Sequence, residues 1–330
     1  MKHLEIDPET SGAPTKDHVN KSTEMPEPTT TKVHPPNKPE QETNVKFVLC
    51  WHATTILEWE GLRILIDPNF LHANDHVHLG PGELPRIDAV LLSHYHEDHF
   101  DKLVEDKLKR SLPIITIPHA KECLTAKGDK SFTAVHALDF FQSMRLDVKT
   151  GKIQGGQKPS IKVTGMPGKH VPPGPLNVAN NILGTVPPTN GWMVELGYAA
   201  AADSEKFDCG HRIYISGDTL MVDEPKEIPE RNTDKNIDPM LVHLGGTTIP
   251  GPSMPLLMIT MDGKQSVQPM QLLNPDVTIP IHYDDYDVFM SLLSDFKKAV
   301  IEAGLSDKVV YLDRTDQFEF NVRHGITTVC

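Results

Sequence analysis

The chain has 330 residues, 38% of them hydrophobic, which is enough to bury a substantial core as one large domain. Its formal net charge of -13 argues against a nucleic acid as the main partner, because such binders need a basic face to displace condensed counterions. No stretch approaches the ~20 apolar residues needed to cross a bilayer. The opening Met1-Lys2-His3-Leu4-Glu5-Ile6-Asp7 also lacks the apolar core of a secretory signal, so a cytoplasmic protein is expected.

In chain order, residues 1–44 come first. Pro26, Pro28, Pro35, Pro36 and Pro39 sit there among Thr, Lys and Glu. Such a composition buries too little apolar surface to offset ordering entropy, so a disordered tail is expected before a single domain over residues 45–330. Residues 46–50, 55–59 and 62–66 read as strands, the last two joined by a tight turn at Glu60-Gly61. Residues 87–92 form a short apolar run, as expected of a strand covered on both faces. A helix over 101–110 and a strand over 113–117 follow. Near the end, Val288, Phe289, Leu292, Leu293, Phe296 and Val300 recur at helical spacing and are expected to pack on a sheet as core.

Directly behind the strand at 87–92 stands Ser93-His94-Tyr95-His96-Glu97-Asp98-His99. Imidazole and carboxylate are preferred donors for a borderline divalent ion such as zinc, and this cluster has more of them than one ordinary site needs. Alternate residues of an extended segment point the same way, so His94 and His96 can grip one ion while the following turn aims Asp98 and His99 at a second. Three later apolar stretches end in further donors: Gly165-Met166-Pro167-Gly168-Lys169-His170, Ile213-Tyr214-Ile215-Ser216-Gly217-Asp218 and Ile279-Pro280-Ile281-His282-Tyr283.

With these motifs in this order, the chain resembles the metallo-β-lactamase superfamily from about residue 45 to 320. The resemblance implies an α/β fold, a four-layer αββα sandwich with one metal ligand at the end of each of several strands. It also implies that His94, His96 and His170 hold a first metal, that Asp98, His99 and His282 hold a second, and that Asp218 bridges them. Two-metal hydrolases keep their ions roughly 3.5–4 Å apart. The outer motifs Trp51-His52-Ala53-Thr54, Ile64-Leu65-Ile66-Asp67-Pro68, His243-Leu244-Gly245-Gly246, Thr260-Met261-Asp262 and Ile279-Pro280-Ile281-His282-Tyr283-Asp284-Asp285-Tyr286 look most like the branch containing ascorbate-6-phosphate lactonase and N-acylphosphatidylethanolamine phospholipase D.

Two adjacent cations would supply a shared water deprotonated near neutral pH, since the pKa of metal-bound water can fall from about 15.7 to about 7. The expected activity is hydrolysis of a small-molecule substrate, foremost a cyclic ester, with zinc as the metal and manganese as the alternative. Asp98, His243 or Lys169 is expected to handle the leaving-group proton. Asp67 and Asp262 are candidates to orient ligand histidines from behind, the usual outer arrangement. His52 reads evenly as a contact or as a structural histidine, and His76 and His78 read as a surface pair. The alternatives are a phosphodiesterase or phospholipase D-like hydrolase, and a metal-binding scaffold without activity. A di-iron redox protein would instead carry a carboxylate at position 96. The four cysteines form no C-x-x-C pair and read as reduced thiols. The uncharged stretch that includes residues 171–188 is expected to wall the substrate pocket.

Overall fold

Lys2–Ile6 forms a strand, β1, and Thr31–Val33 a second, β2. The computed structural model describes every residue except 10, 17–23, 26, 36–43, 71–83, 150–156, 201–202, 234–235, 252, 285 and 323–330. The expectation of a disordered tail over residues 1–44 is therefore corrected for its described parts. β1 lies parallel to residues 144–148 and buries Ile6, while β2 lies parallel to residues 317–319. Composition averaged over 44 residues hides two short segments whose backbone groups complete sheet edges.

The next strands are β3 (Val45–Trp51), β4 (Thr54–Trp59) and β5 (Leu62–Ile66), an antiparallel run. The turn between β4 and β5 has positive φ at both Glu60 (48°) and Gly61 (79°), the twist that suits a two-residue hairpin. Then come β6 (Ala89–Leu91), α1 (Lys102–Lys107), β7 (Ile114–Thr116), α2 (Pro118–Thr125) and β8 (Val135–Ala137). Asp101 caps α1 by accepting from the Val104 N–H at 2.7 Å. The second half contributes β9 (Ser143–Val148), β10 (Gln157–Pro167), α3 (Pro175–Leu183), β11 (Asn190–Ala200) and β12 (Asp203–Ile215). It continues through α4 (Glu227–Arg231), β13 (Met240–His243), the hairpin of β14 (Thr248–Gly251) and β15 (Met254–Met258), α5 (Val267–Leu273) and β16 (Thr278–Ile281). The last elements are α6 (Leu293–Glu302) and β17 (Gln317–Phe320).

The strands form an eight-stranded sheet, β2-β17-β3-β4-β5-β6-β7-β8, and a seven-stranded sheet, β1-β9-β10-β11-β12-β13-β16. Strand alternation sorts the second sheet's residues between two cores. Trp192, Val194, Ile213, Ile215 and Leu241 join the main core with the first sheet, α1 and α2. Their neighbours Met193, Tyr214, Met240 and Val242 point the other way, onto Ile228 of α4, Met270 of α5 and Phe296 of α6. The result is the expected α/β sandwich, with helices outside both sheets.

The helix expected to begin near residue 288 begins only at Leu293. Met290 and Ser291 both donate backbone N–H bonds to the Gly245 carbonyl at 3.0 Å, which pulls the preceding segment away from α6 and toward the strand ends. Val288 and Phe289 thus leave the expected core face.

Sheet direction explains why the donors meet. β12, β13 and β16 are mutually parallel, and β10 runs the same way because two antiparallel pairings separate it from β12. Their C-terminal ends deliver His170, Asp218, His243 and His282 to one edge. β6, parallel to β5 in the facing sheet, delivers residues 94–99 there.

Candidate metal centre

Four groups come closest at the floor of this edge. His99 Nε2 lies 3.2 Å from His282 Nε2 and 3.3 Å from Asp218 Oδ2. His282 Nε2 lies 3.5 Å from Asp218 Oδ2 and 3.6 Å from Asp98 Oδ2. One ligand atom from each of Asp98, His99, Asp218 and His282 falls within 4.8 Å of the others, and the same holds for His94, His170 and Asp218. A third such group joins His94, His96 and Asp98. Asp218 is common to the first two groups, and every residue expected to hold metal belongs to at least one group.

The opposite ring nitrogens are occupied. His282 Nδ1 lies 3.0 Å from the Leu244 carbonyl, His170 Nδ1 3.0 Å from the Ile259 carbonyl and His99 Nδ1 3.1 Å from Asp67 Oδ2. A carbonyl oxygen only accepts, so Nδ1 carries the proton in His170 and His282, and Nε2 turns a lone pair to the centre. His94 Nδ1 pairs with Ser93 Oγ at 3.0 Å. Asp67 is itself held by the Ser93 N–H, which donates to Oδ1 at 2.7 Å. His96, with a side chain 56% exposed, hydrogen-bonds through Nδ1 to Asp98 Oδ1.

This arrangement fits divalent ions. Lone pairs and carboxylate oxygens facing one another in a buried space repel unless a cation or protons lie between them. Asp218 Oδ1 is buried without a hydrogen-bond partner among the described residues. The charges of the cluster show the same tension. Burial opposes the Asp218 charge, but His282 and His99 outweigh it and hold the carboxyl well below its usual range. Burial likewise opposes a charge on His99, yet Asp218, Asp98 and Asp67 hold that imidazole well above its usual value. His94, desolvated and beside His99 and His170, is pushed well down.

The remaining candidates separate. Asp98 lines the cavity above the cluster. Lys169 does not, because its ammonium pairs with Glu224 and the residue lines a neighbouring cavity that adjoins the first at His170, Val186 and Pro187. His243 stands behind His99, ring centroids 5.7 Å apart, with Nδ1 3.3 Å from Ser216 Oγ and Nε2 3.8 Å from Asp67 Oδ2. It braces the cluster and is absent from the cavity lining. Asp67 takes the expected outer position and Asp262 does not: its Oδ1 accepts the backbone N–H groups of Lys264 and Gln265 at 3.0 and 2.8 Å. His52 packs its ring 4.1 Å from that of His282 and stacks on Phe289 at 5.4 Å. His76 and His78 lie outside the described residues.

The cavity holds about 230 Å³. Besides residues of the cluster, its lining comprises the apolar Val186, Pro187, Ile259 and Val288 and the polar Glu97, Thr247, Thr260 and Tyr286. Val186 and Pro187 come from the expected uncharged stretch. Ile259 and Thr260 follow the β14–β15 hairpin, and Val288 comes from the segment misread as helix. Ile259 carries no sequence signal, because a single apolar residue in a loop has no period, while Thr260 stands in an outer motif without a role and helical spacing assigns Val288 to the core. Among the described lining residues there is no Lys or Arg.

Residues 62–283 match the family described as the beta-lactamase superfamily domain. A metal-dependent hydrolase (UPF0173) from Archaeoglobus fulgidus is 29% identical over 280 residues, covering 84% of this chain and all of its own. Among solved structures, an isothiocyanate hydrolase from Delia radicum gut bacteria superposes with a TM-score of 0.62 at 18% identity, covering 84% of this chain and 99% of that one. A metallo hydrolase from the archaeon Ignicoccus hospitalis superposes with a TM-score of 0.56 at 21% identity, covering 85% and 100%. None of the described helices is long and apolar enough to cross a membrane.

Proposed function

The chain belongs to the beta-lactamase superfamily of metal-dependent hydrolases, and we propose that it binds two divalent ions, foremost zinc, and hydrolyses a small uncharged cyclic ester. The observation that carries this reading is the pair of donor groups that share Asp218 while the outer histidine nitrogens are taken up by Leu244, Ile259 and Asp67. His94, His96 and His170 would hold one ion, Asp98, His99 and His282 the other, and Asp218 both. Bound there, the ions would acidify a shared water for attack and neutralise charge gathering on the reacting oxygen.

The chain's own residues do the rest. The hydrogen bonds behind His170 and His282 and the Asp67 carboxylate behind His99 fix their rings, so the donors need little rearrangement. Val186, Pro187, Ile259 and Val288 exclude water from one side of the reacting group and favour an apolar substituent next to it. The described wall offers no Lys or Arg to pair with a phosphate, which favours a lactone over a phosphodiester. Asp98 is the one expected proton carrier that lines the cavity.

The test is a substrate panel of lactones, β-lactams, bis-4-nitrophenyl phosphate and short RNA, run with elemental analysis. About two ions per chain and chelator-sensitive lactone hydrolysis are expected. His96→Ala and Asp218→Ala should each lose more than about tenfold in rate, since even outer partners are commonly worth ~10–100-fold. Metal-dependent activity confined to the phosphodiester or to RNA would sink the cyclic-ester reading. A metal-free, active protein would sink the whole of it.

A further inference from the structure

Tyr286 has no part in the roles assigned so far. It lines the cavity with His96, Asp98 and Asp218. Its ring is set edge-on against His52 and Phe289, with centroids 5.0 and 5.7 Å away. Its hydroxyl is set by Asn69, whose Nδ2 lies 2.7 Å from the phenolic oxygen. Asn69 is fully buried, and its backbone N–H donates to Thr54 Oγ1 at 2.9 Å.

The direction of the Asn69–Tyr286 bond follows from a third contact. Asn69 Nδ2 also lies 3.1 Å from the carbonyl oxygen of Glu97, and a carbonyl oxygen only accepts. That contact identifies the nitrogen end of the amide, so Asn69 donates to Tyr286 as well. The phenolic oxygen is then the acceptor, and the phenol's own O–H is a donor toward another partner. Accepting from an amide polarises the phenol and makes that O–H a stronger donor. Glu97, Asp98 and Asp218, which share the cavity, are acceptors when ionised and cannot serve a substrate carbonyl.

On the hydrolase reading given above, we propose that Tyr286 is a further catalytic residue, whose hydroxyl donates a hydrogen bond to the substrate carbonyl oxygen and to the oxyanion that replaces it. A fixed donor aimed where negative charge develops is worth most in a space shielded from water. Asn69 is its positioning residue, tied through Glu97 to the same loop that carries Asp98 and His99.

The metal-loaded wild type and Tyr286→Phe are compared on 4-nitrophenyl acetate and phenyl acetate. Metal content and the calorimetric affinity for phenylboronic acid, which takes up hydroxide to form a tetrahedral species, are measured alongside. Phenylalanine keeps the ring contacts, so unchanged metal content is expected. The expected kinetic result is a fall in kcat of about 100-fold on both esters, with KM within about threefold and boronate binding about tenfold weaker. A kcat within about threefold of wild type overturns the proposal while leaving the hydrolase reading intact. So does a loss confined to phenyl acetate, which would place Tyr286 at the leaving group, and so does metal lost from the variant, which would make its role structural. Wild-type protein that holds its metal, cleaves neither ester and binds no boronate overturns the hydrolase reading and this proposal together.

Discussion

His99 and His282 face each other through Nε2 across 3.2 Å, although they follow strands of facing sheets, β6 and β16, and lie 183 residues apart. Each ring is held from behind, His282 by the Leu244 carbonyl and His99 by the Asp67 carboxylate. Two imidazole nitrogens this close in a buried site need a cation or a proton between them, and their outer bonds settle how well they hold it.

Asp67→Asn removes the charge behind His99 while keeping the shape. Metal affinity is expected to fall about 10–100-fold, with secondary structure unchanged. Competition against a chromogenic chelator measures this, and wild-type affinity in the variant would show that Asp67 does not support the ligand.

Gly217→Ala tests the approach of the chain to Asp218. Gly217 has φ +61°, and a Cβ there would stand 2.4 Å from the Asn190 carbonyl oxygen. Backbone must shift, so a loss of roughly 2 kcal/mol or more in stability is expected from strain and positive φ together. Metal content should drop with it, because the next residue is the shared carboxylate. Denaturant unfolding with elemental analysis reads both.

Deleting residues 1–44 is expected to destabilise the protein. The deletion strips β1 from β9 and β2 from β17, and it removes the bonds from the Lys109 N–H to the Pro14 carbonyl and from the Lys16 N–H to the Lys107 carbonyl, both 2.9 Å. It also removes His34, which is buried and paired with Asp238. His34→Ala alone should lose about 1–3 kcal/mol by leaving Asp238 Oδ2 buried without its imidazole partner, while Oδ1 keeps the Val277 N–H. A truncated protein with the melting temperature of the full chain would contradict this.

Acid stability should depend on His211. Burial pushes its imidazole down to about 4, with Asp238 opposing and His34 adding to the effect. In the unfolded chain the ring takes up its proton near its ordinary pKa of about 6.5. Stability from this residue is therefore complete above pH ~6.5 and falls as pH drops toward 4, because the unfolded state binds the proton first. The loss is about 2–3 kcal/mol across that window. His211→Phe keeps the stacking on Phe320 (4.5 Å) and should flatten this limb. Urea unfolding at pH 7.5 and 4.5 compares the two proteins.

The histidines and aspartates of the centre are legible in the sequence because metal ligation demands particular atoms at strand ends, and strand ends show as apolar runs that stop. The hairpin at Glu60-Gly61 is legible for a similar local reason. Lys169 misleads because nothing near it in sequence announces Glu224, 55 residues later. Val288 misleads because helical spacing over six residues also describes a loop strapped to Gly245. Tyr286 stands in the motif that begins at Ile279 but has no role legible there, and Asn69 leaves no trace, since a donor that works through one bond to a residue 217 positions away has no pattern to repeat.

The pairing of β2 with β17 also has a meaning in time. The Gln317 N–H reaches the Thr30 carbonyl at 2.9 Å, so the strand at one end of the chain waits for a partner near the other. At translation rates of about 5–20 residues per second, roughly 15–60 s separate the synthesis of the two. Until β17 emerges, β2 has no neighbour in the sheet and β3 keeps an open edge. Closure of the first sheet is therefore a late event that follows synthesis of most of the chain, and a nascent chain stalled before residue 317 would present that edge to other unfinished strands.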